Sequence, residues 1–280
     1  MRCAGIVFLL FPMIAMSAWR AQAADLIGNC EMSGTKGDMA ISAPVVPGQL
    51  TVAVSLPAPT WWNGESADAV RDGFEYCLAA NIAWHAGFDK LAVVDMAWNK
   101  LIDGSGHGFD LAVSEISVTA ERKAKLSFTA PYFTTDFGVL VKPGTAIDGA
   151  TLPEARIGVL EATAGANFAR ETLKAKSVKG YPEQGELFSA LRAGQIDAVV
   201  TDLPIAISEQ GLEGGSVVTI GRYHSGQAFA GVFPKGSADG PVFGRIIAKL
   251  MDDGTDKWLA KKYLWSVWNI DPEAIPYFGP

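Results

Sequence analysis

Short apolar runs alternate with stretches of helical periodicity over most of the chain. Strand-like runs fall at Thr51–Leu56, Lys90–Met96, Phe109–Ile116, Phe137–Lys142, Arg156–Leu160, Ile196–Thr201, Val217–Ile220 and Ala228–Phe233. Between them, Gly73–Ala86, Ala164–Lys176, Gln184–Ala193, Pro204–Glu209, Val242–Asp252 and Asp256–Trp265 carry the spacing of amphipathic helices. Strands in alternation with helices predict α/β layers around a mostly parallel sheet. Trp258 and Trp265 share one face of the last helical stretch and read as core, and His85, beside Trp84, reads as surface or half-buried.

An earlier apolar run, Ala4–Trp19, follows the basic start Met1-Arg2 and ends at the small-x-small pattern Ala21-Gln22-Ala23. This predicts a secretory signal peptide over residues 1–23, removed after about Ala23, and hence a periplasmic protein. The run falls short of the roughly 20 apolar residues of a membrane-spanning helix. Residues 24–48 are polar and rich in Gly, Pro and Ser, an arm before the first strand. Cys3 leaves with the leader. Cys30 and Cys77 remain, and an oxidising compartment favours a disulfide between them over two buried thiols.

One internal echo stands out. Gly108-Phe109-Asp110-Leu111-Ala112-Val113-Ser114-Glu115 is matched by Gln195-Ile196-Asp197-Ala198-Val199-Val200-Thr201-Asp202. Each has an Asp, three apolar residues, a hydroxyl residue and an acid. The Asp starts a buried strand, and the hydroxyl and acid emerge at its C-terminal end, where open α/β sheets bind ligands. Two such edges facing each other make a cleft.

The formal net charge of −7 and the lack of basic runs argue against a nucleic-acid partner. Metalloprotease, redox, nucleophile-elbow and phosphate-loop motifs are missing. His85, His107 and His224 lack metal-ligand spacing, and nothing implies a cofactor. Two junctions suit an anion instead. Thr119-Ala120-Glu121-Arg122 opens a short helix with Thr119 as a natural N-cap. Arg122 in that first turn offers a two-pronged donor for a carboxylate. Ile157–Gly165 is a second strand-to-helix junction, where Thr163 can cap and donate, and where Ala162, Ala164 and Gly165 let a ligand approach the backbone. Trp61, Trp62 and Trp98 follow strands and can form ligand walls.

Taken in order, these residues resemble the polar-amino-acid-binding family of bacterial periplasmic solute-binding proteins. The resemblance runs from about Leu50 to Leu264 and rests on Gly73-Phe74-Glu75, Trp98–Ile102, Phe109–Arg122, Phe128–Phe133, Ile196–Asp202, Val232–Ser237 and Gly254–Leu264. It implies the two-lobed periplasmic binding protein fold (type II), with two strands crossing at about Thr135–Leu140 and Gln227–Val232 and closing like a hinge. Residues 49–137 and 230–280 would form lobe 1, and 138–229 lobe 2. By matching position, Arg122 would hold a ligand α-carboxylate with help from Ser117 and the backbone near Thr163. Asp202 would hold the α-amino group, and Trp98 with Trp61 or Trp62 would sandwich the side chain. The implied partners are an amino-acid-like ligand and an inner-membrane ABC permease, with the chain acting as a monomer and performing no chemistry.

Three departures concern the ligand side chain. Ser55 stands where many members carry an acid, Glu115 where many carry a small residue, and the segment Asp103–Gly108 is short and Gly-rich. One carboxylate is answered by Arg122, whereas two acids, Glu115 and Asp202, arrive at matched strand ends. An α-amino group satisfies one of them, so the charges balance best for a cationic amino acid or a conjugate such as an opine. The competing readings are an enzyme on the same scaffold, whose relatives include a dehydratase and for which Glu115 would be the general acid, and a sensory module.

Overall fold

The computed structural model describes residues 25–279, and the leader at 1–23 lies outside them. After a small hairpin, β1 (Leu26–Ile27) and β2 (Cys30–Glu31), the first half of the chain gives β3 (Leu50–Val54), α1 (Phe74–His85), β4 (Leu91–Asp95), α2 (Trp98–Asp103), β5 (Leu111–Ala112) and α3 (Ala120–Lys125). The long β6 (Ser127–Val141) leads to β7 (Arg156–Leu160), α4 (Ala164–Asn167), β8 (Ser177–Tyr181), α5 (Gln184–Arg192), β9 (Ala198–Asp202) and α6 (Leu203–Leu212). The long β10 (Val218–Phe233) returns to α7 (Gly240–Asp252), α8 (Thr255–Ala260) and α9 (Ser266–Trp268).

The main sheet has the order β4-β3-β5-β10-β6-β9-β7-β8. Read from either end it is the same motif. Three parallel strands, β4-β3-β5 or β8-β7-β9, are followed by the long strand that pairs antiparallel with the third. The sheet is therefore parallel within each lobe and antiparallel across the middle. β6 and β10 pair from Ser127↔Phe233 to Val141↔Val218, and the expected crossing segments lie inside them. Thr135 faces Gln227 and Phe137 faces Tyr223, so residues 224–226 bulge against Asp136 alone. Gly226, at φ 62°, supplies the left-handed turn. Each lobe has its own apolar core, with Val52, Phe74, Leu78 and Ile246 in one and Val139, Ile157, Val159 and Val200 in the other.

The repeated Asp has the same job in both lobes. The Asp110 carboxylate accepts the Thr51 amide at 2.8 Å and the Val45 amide at 2.6 Å, while its own amide donates to the Thr51 carbonyl at 2.9 Å. The Asp197 carboxylate accepts the Arg156 amide at 2.9 Å, and its amide donates to the Arg156 carbonyl at 2.8 Å. In each lobe the Asp that precedes the third strand satisfies an amide at the start of the neighbouring parallel strand, Thr51 in one and Arg156 in the other. That pins the register and hence where the strand's far end emerges.

Helix α1 is buried on nearly every face, not amphipathic. It lies between the sheet, α7, α8 and the N-terminal arm. The arm is tied down along its length. Cys30 is bonded to Cys77, with Cα atoms 5.3 Å apart. The Asn81 side chain accepts the Ser33 amide at 2.8 Å. Asp38 meets His85 Nδ1 at 2.6 Å, and Asp239 accepts the Ser42 and Ala43 amides at 2.8 and 2.9 Å. His85 is fully buried as a result, contrary to its surface reading. Trp258 and Trp265 are exposed rather than core, because the helix packs Leu259 and Leu264 inward instead.

The last residues also depart from the sequence boundaries, which place 230–280 wholly in lobe 1. Phe278 packs into the second lobe's core beside Gly149 and Gly221. Its amide donates to the Arg222 carbonyl, and the Arg222 amide donates to Pro276. Gly221 and Gly149 accept this aromatic where a Cβ would collide with it.

Removing the Cys30–Cys77 bond should cost about 2–5 kcal/mol, read as a fall in Tm on adding reductant. Intact-mass analysis after alkylation without reductant should show neither cysteine labelled. Asp110→Ala strands two amides, one of them buried, and should cost about 2–4 kcal/mol in urea unfolding. Asp197→Ala should cost less, since water reaches the more exposed Arg156 amide.

Candidate functional site

The C-terminal ends of β3, β5, β7 and β9 converge on one cleft between the lobes. Ser55, Ala58, Trp98, Ser114, Glu115, Ser117 and Arg122 line it from the first lobe, and Leu160, Thr163, Gln184, Thr201, Asp202 and Ile205 from the second. The cavity measures about 50 Å³, room for a few water-sized molecules. The lobes therefore stand close together.

Arg122 is placed by its helix start. Thr119 Oγ1 accepts the Arg122 amide at 3.1 Å, closing the first turn of α3. The buried guanidinium then spans the cleft. Nη1 donates to the Ser117 carbonyl at 2.9 Å on the first lobe, and Nη2 donates to the Ala162 carbonyl at 2.9 Å on the second. Trp98 lies against the guanidinium, its ring centroid 5.1 Å away. This contact spreads the charge over an aromatic face and leaves three of the five N–H donors unassigned. Burial lowers the affinity of the guanidinium for its proton, and nearby Asp202 partly restores it.

Thr163 caps α4, its Oγ1 accepting the Ala166 amide at 3.1 Å and donating to the Leu160 carbonyl at 2.7 Å. Gly165 has a different use from the one its position suggested. A Cβ there would meet the Val200 carbonyl at 3.2 Å, so the glycine lets α4 close on β9 rather than admitting a ligand. Asp202 sits at the end of β9 and opens α6. It is buried, and its Oδ1 has no hydrogen-bond partner among the described residues. Burial pushes its carboxyl up to about 7, against the pull of Arg122.

Glu115 occupies the matched position on the first lobe. Its backbone is left-handed, at φ 49°, a strained setting for a side chain this long. Its amide donates to the Glu75 carboxylate at 2.8 Å. Glu75, on α1, was quoted in the sequence only as part of a motif and not as a site residue. It is fully buried and takes three donors, namely the Glu115 amide, the Tyr132 hydroxyl and Trp62 Nε1, the last at 2.8 Å. An acid inside the apolar run Phe74–Ala80 was the available signal. Burial pushes Glu75 up to about 7 despite these donors. Glu115 is raised well above the ordinary range by burial, then by repulsion from Glu75 and Asp202.

The cleft thus gathers Arg122, Ser117, Thr163, Glu115, Asp202 and Trp98. Neither of the other two tryptophans expected at the site, Trp61 and Trp62, lines it. Trp62 is packed edge-on against Tyr76 and bonded to Glu75. Trp61 is buried among Phe74, Phe133 and Phe229 and reaches only a small side chamber next to Glu115. Ala58 and Pro57 form the cleft wall there, because the turn after β3 directs both indoles inward. His224 stacks on Tyr277 at 3.8 Å, outside the cleft lining.

Residues 50–266 match the model of the bacterial extracellular solute-binding proteins, family 3. The chain belongs to this family. Among its relatives, the L-cystine-binding protein of Escherichia coli K12 is 25% identical over 201 residues, covering 70% of this chain and 75% of that one. The histidine-binding periplasmic protein of Salmonella typhimurium is 28% identical over 221 residues, covering 73% and 84%. An amino acid ABC transporter substrate-binding protein from Streptococcus pneumoniae, solved with L-arginine bound, superposes with a TM-score of 0.67 at 26% identity, over 80% of this chain and 95% of that one. The family match covers residues 50–266, so the arm with Cys30 and the tail after residue 266 lie outside it, while Cys77 lies inside.

Within that frame Arg122 is the residue whose loss is most telling. On the expectation that Arg122 holds a ligand carboxylate, Arg122→Ala should weaken binding by roughly two to four decades, because that carboxylate would be left desolvated and unpaired. Arg122→Lys should restore little, since an ammonium cannot bridge both lobes and a carboxylate with one planar fork. Calorimetric titration of folded variants reads both.

Proposed function

We propose that this chain is the substrate-binding component of an ABC importer that captures an amino acid or amino-acid derivative carrying a second positive group. The lobes close about β6 and β10, with residues 49–137 and most of 230–280 in one and 138–229 in the other. The α-carboxylate goes to the free donors of Arg122, with the Ser117 and Thr163 region beside it. The α-ammonium goes to Asp202, and the distal cation goes to Glu115. Trp98 covers the guanidinium and closes the carboxylate end.

The observation that carries this reading is the charge of the cleft lining. One buried cation, Arg122, meets two carboxyl groups, Glu115 and Asp202, raised by burial and held at opposite strand ends. A zwitterion balances Arg122 and one acid only. A second cation completes the set without leaving a buried charge unpaired. The named ligands of relatives, histidine and arginine among them, support the same class. The family's extracellular description fits delivery from the periplasm to a permease.

A protonated Glu115 is also what a general acid requires, which keeps an enzymatic reading in view. It predicts conversion of the bound compound, whereas a receptor returns it unchanged, and mass spectrometry of recovered ligand separates the two. For the receptor, one thermal-shift and calorimetry panel is decisive. Arginine, lysine, ornithine and histidine should raise Tm and bind tightly. Glutamine, glutamate and small neutral amino acids should bind at least tenfold more weakly. The reverse order would overturn the cationic assignment.

A further inference from the structure

Glu75 lies behind the cleft rather than in its lining, yet it is fully buried, and all three of its partners are donors. One of those partners is the amide that fixes the left-handed turn carrying Glu115 into the cleft. We propose that Glu75 is a positioning residue that keeps a proton on Glu115 until a cationic ligand group arrives, so that capture of the ligand expels that proton to solvent. This deepens the proposed function and rests on its cationic ligand.

The surroundings of Glu115 decide the sign. Glu75 on α1 and Asp202 at the end of β9 repel its charge. Tyr132 on β6 gives its hydroxyl to Glu75, not to Glu115. Arg122 on α3 spends two donors on the Ser117 and Ala162 carbonyls. Glu209 on α6 shares the side chamber with Glu115 but is paired with Arg192 at 2.7 Å, and exposed Glu183 sits at the rim. Among the described residues no ion pair ties a cation to the Glu115 carboxyl. Three donors, by contrast, favour the charged form of Glu75. In the free protein the proton therefore rests on Glu115, under the repulsion of a Glu75 that has the means to ionise. A ligand cation reverses that balance: the O–H of Glu115 breaks, the proton leaves to buffer, and the carboxylate pairs with a ligand that arrives already charged.

Linkage then fixes the pH dependence. The complex favours ionised Glu115, so affinity is full above the free-state titration of Glu115. It falls as pH drops through that range, by up to about tenfold per pH unit for one proton. Removing the negative charge of Glu75 makes Glu115 easier to ionise, which moves the whole fall to lower pH. A purely structural Glu75 would instead change affinity by the same factor at every pH.

The test is calorimetry of L-arginine binding from about pH 5 to pH 8, in buffers of different ionisation enthalpy, on the wild type, Glu75→Gln and Glu115→Gln. The wild type should release protons on binding and lose affinity on acidification. Asp202 contributes its own proton with the α-ammonium, so Glu115→Gln should release about one fewer than wild type. Glu75→Gln should keep the release but shift its midpoint to lower pH. Equal release from wild type and Glu115→Gln overturns the proposal, as does a Glu75→Gln effect that is uniform in pH. If Glu75→Gln does not fold, Tyr132→Phe, which removes one of the donors that favour ionised Glu75, should shift the release midpoint in the same direction, and an unshifted midpoint overturns the proposal. Failure of L-arginine and the other cationic amino acids to bind at all sinks the ligand reading itself, and the proposal with it. Tight binding with no difference in proton count sinks only the proposal.

Discussion

The antiparallel seam between β6 and β10 is the constraint from which the rest follows. Each lobe is a three-strand parallel unit that would end in an open edge at β5 or β9. The seam covers both edges, because the strand leaving one lobe pairs with the terminal strand of the other. Two chemically similar strand ends are thereby turned toward each other. The bulge at residues 224–226 falls opposite Asp136, in the middle of this seam. Of the four register irregularities along the seam it is the widest, with three residues set against one, and it marks the natural place for bending between the two strand-end edges that form the site.

Electrostatics complete what the seam begins. Burying several acids against one guanidinium is unfavourable unless protons or a ligand balance them. The protein tolerates this because Glu75 accepts from three donors on separate segments of the chain and because Arg122 is itself anchored on both lobes. Burial is the largest cause of the shifts at Glu115 and Asp202, and both line the cleft where the two lobes meet. Opening the cleft and changing its protonation are therefore one process seen from two sides.

Much of this was legible in the chain before any coordinates. The Asp-started strand echo placed Glu115 and Asp202 at matched ends, because strand ends are local features and the repeated Asp fixes register. The Thr119 cap and Arg122 were readable for the same reason. What escaped the sequence depended on distant partners. Glu75 finds Glu115 40 positions away and Tyr132 57 positions away, and no local pattern encodes either. Trp61 and Trp62 follow a strand end as a ligand wall would, but the turn after β3 sends them into the core, a choice that spacing alone leaves open. β8 is not legible in the pattern, because Ser177–Tyr181 is an edge strand carrying Lys179 and Gly180, with little apolar signal. The C-terminal tail likewise looked like a simple extension of the first lobe, since its contacts with Gly149 and Gly221 are matters of shape, not composition.

That tail changes the mechanics of the molecule. The chain passes between the lobes along β6 and β10, and then again when it leaves α8 in the first core and ends with Phe278 in the second. Two adjacent crossing strands form a ribbon, which resists stretching yet bends and twists with similar ease. A connection offset from that ribbon, fastened where Tyr277 donates to Asp136 at 2.7 Å and lies 4.1 Å from the Arg222 guanidinium, removes part of the torsional freedom. The two halves are left with something closer to a door on its pin than a flag on a cord, and each return swing brings the same strand ends face to face.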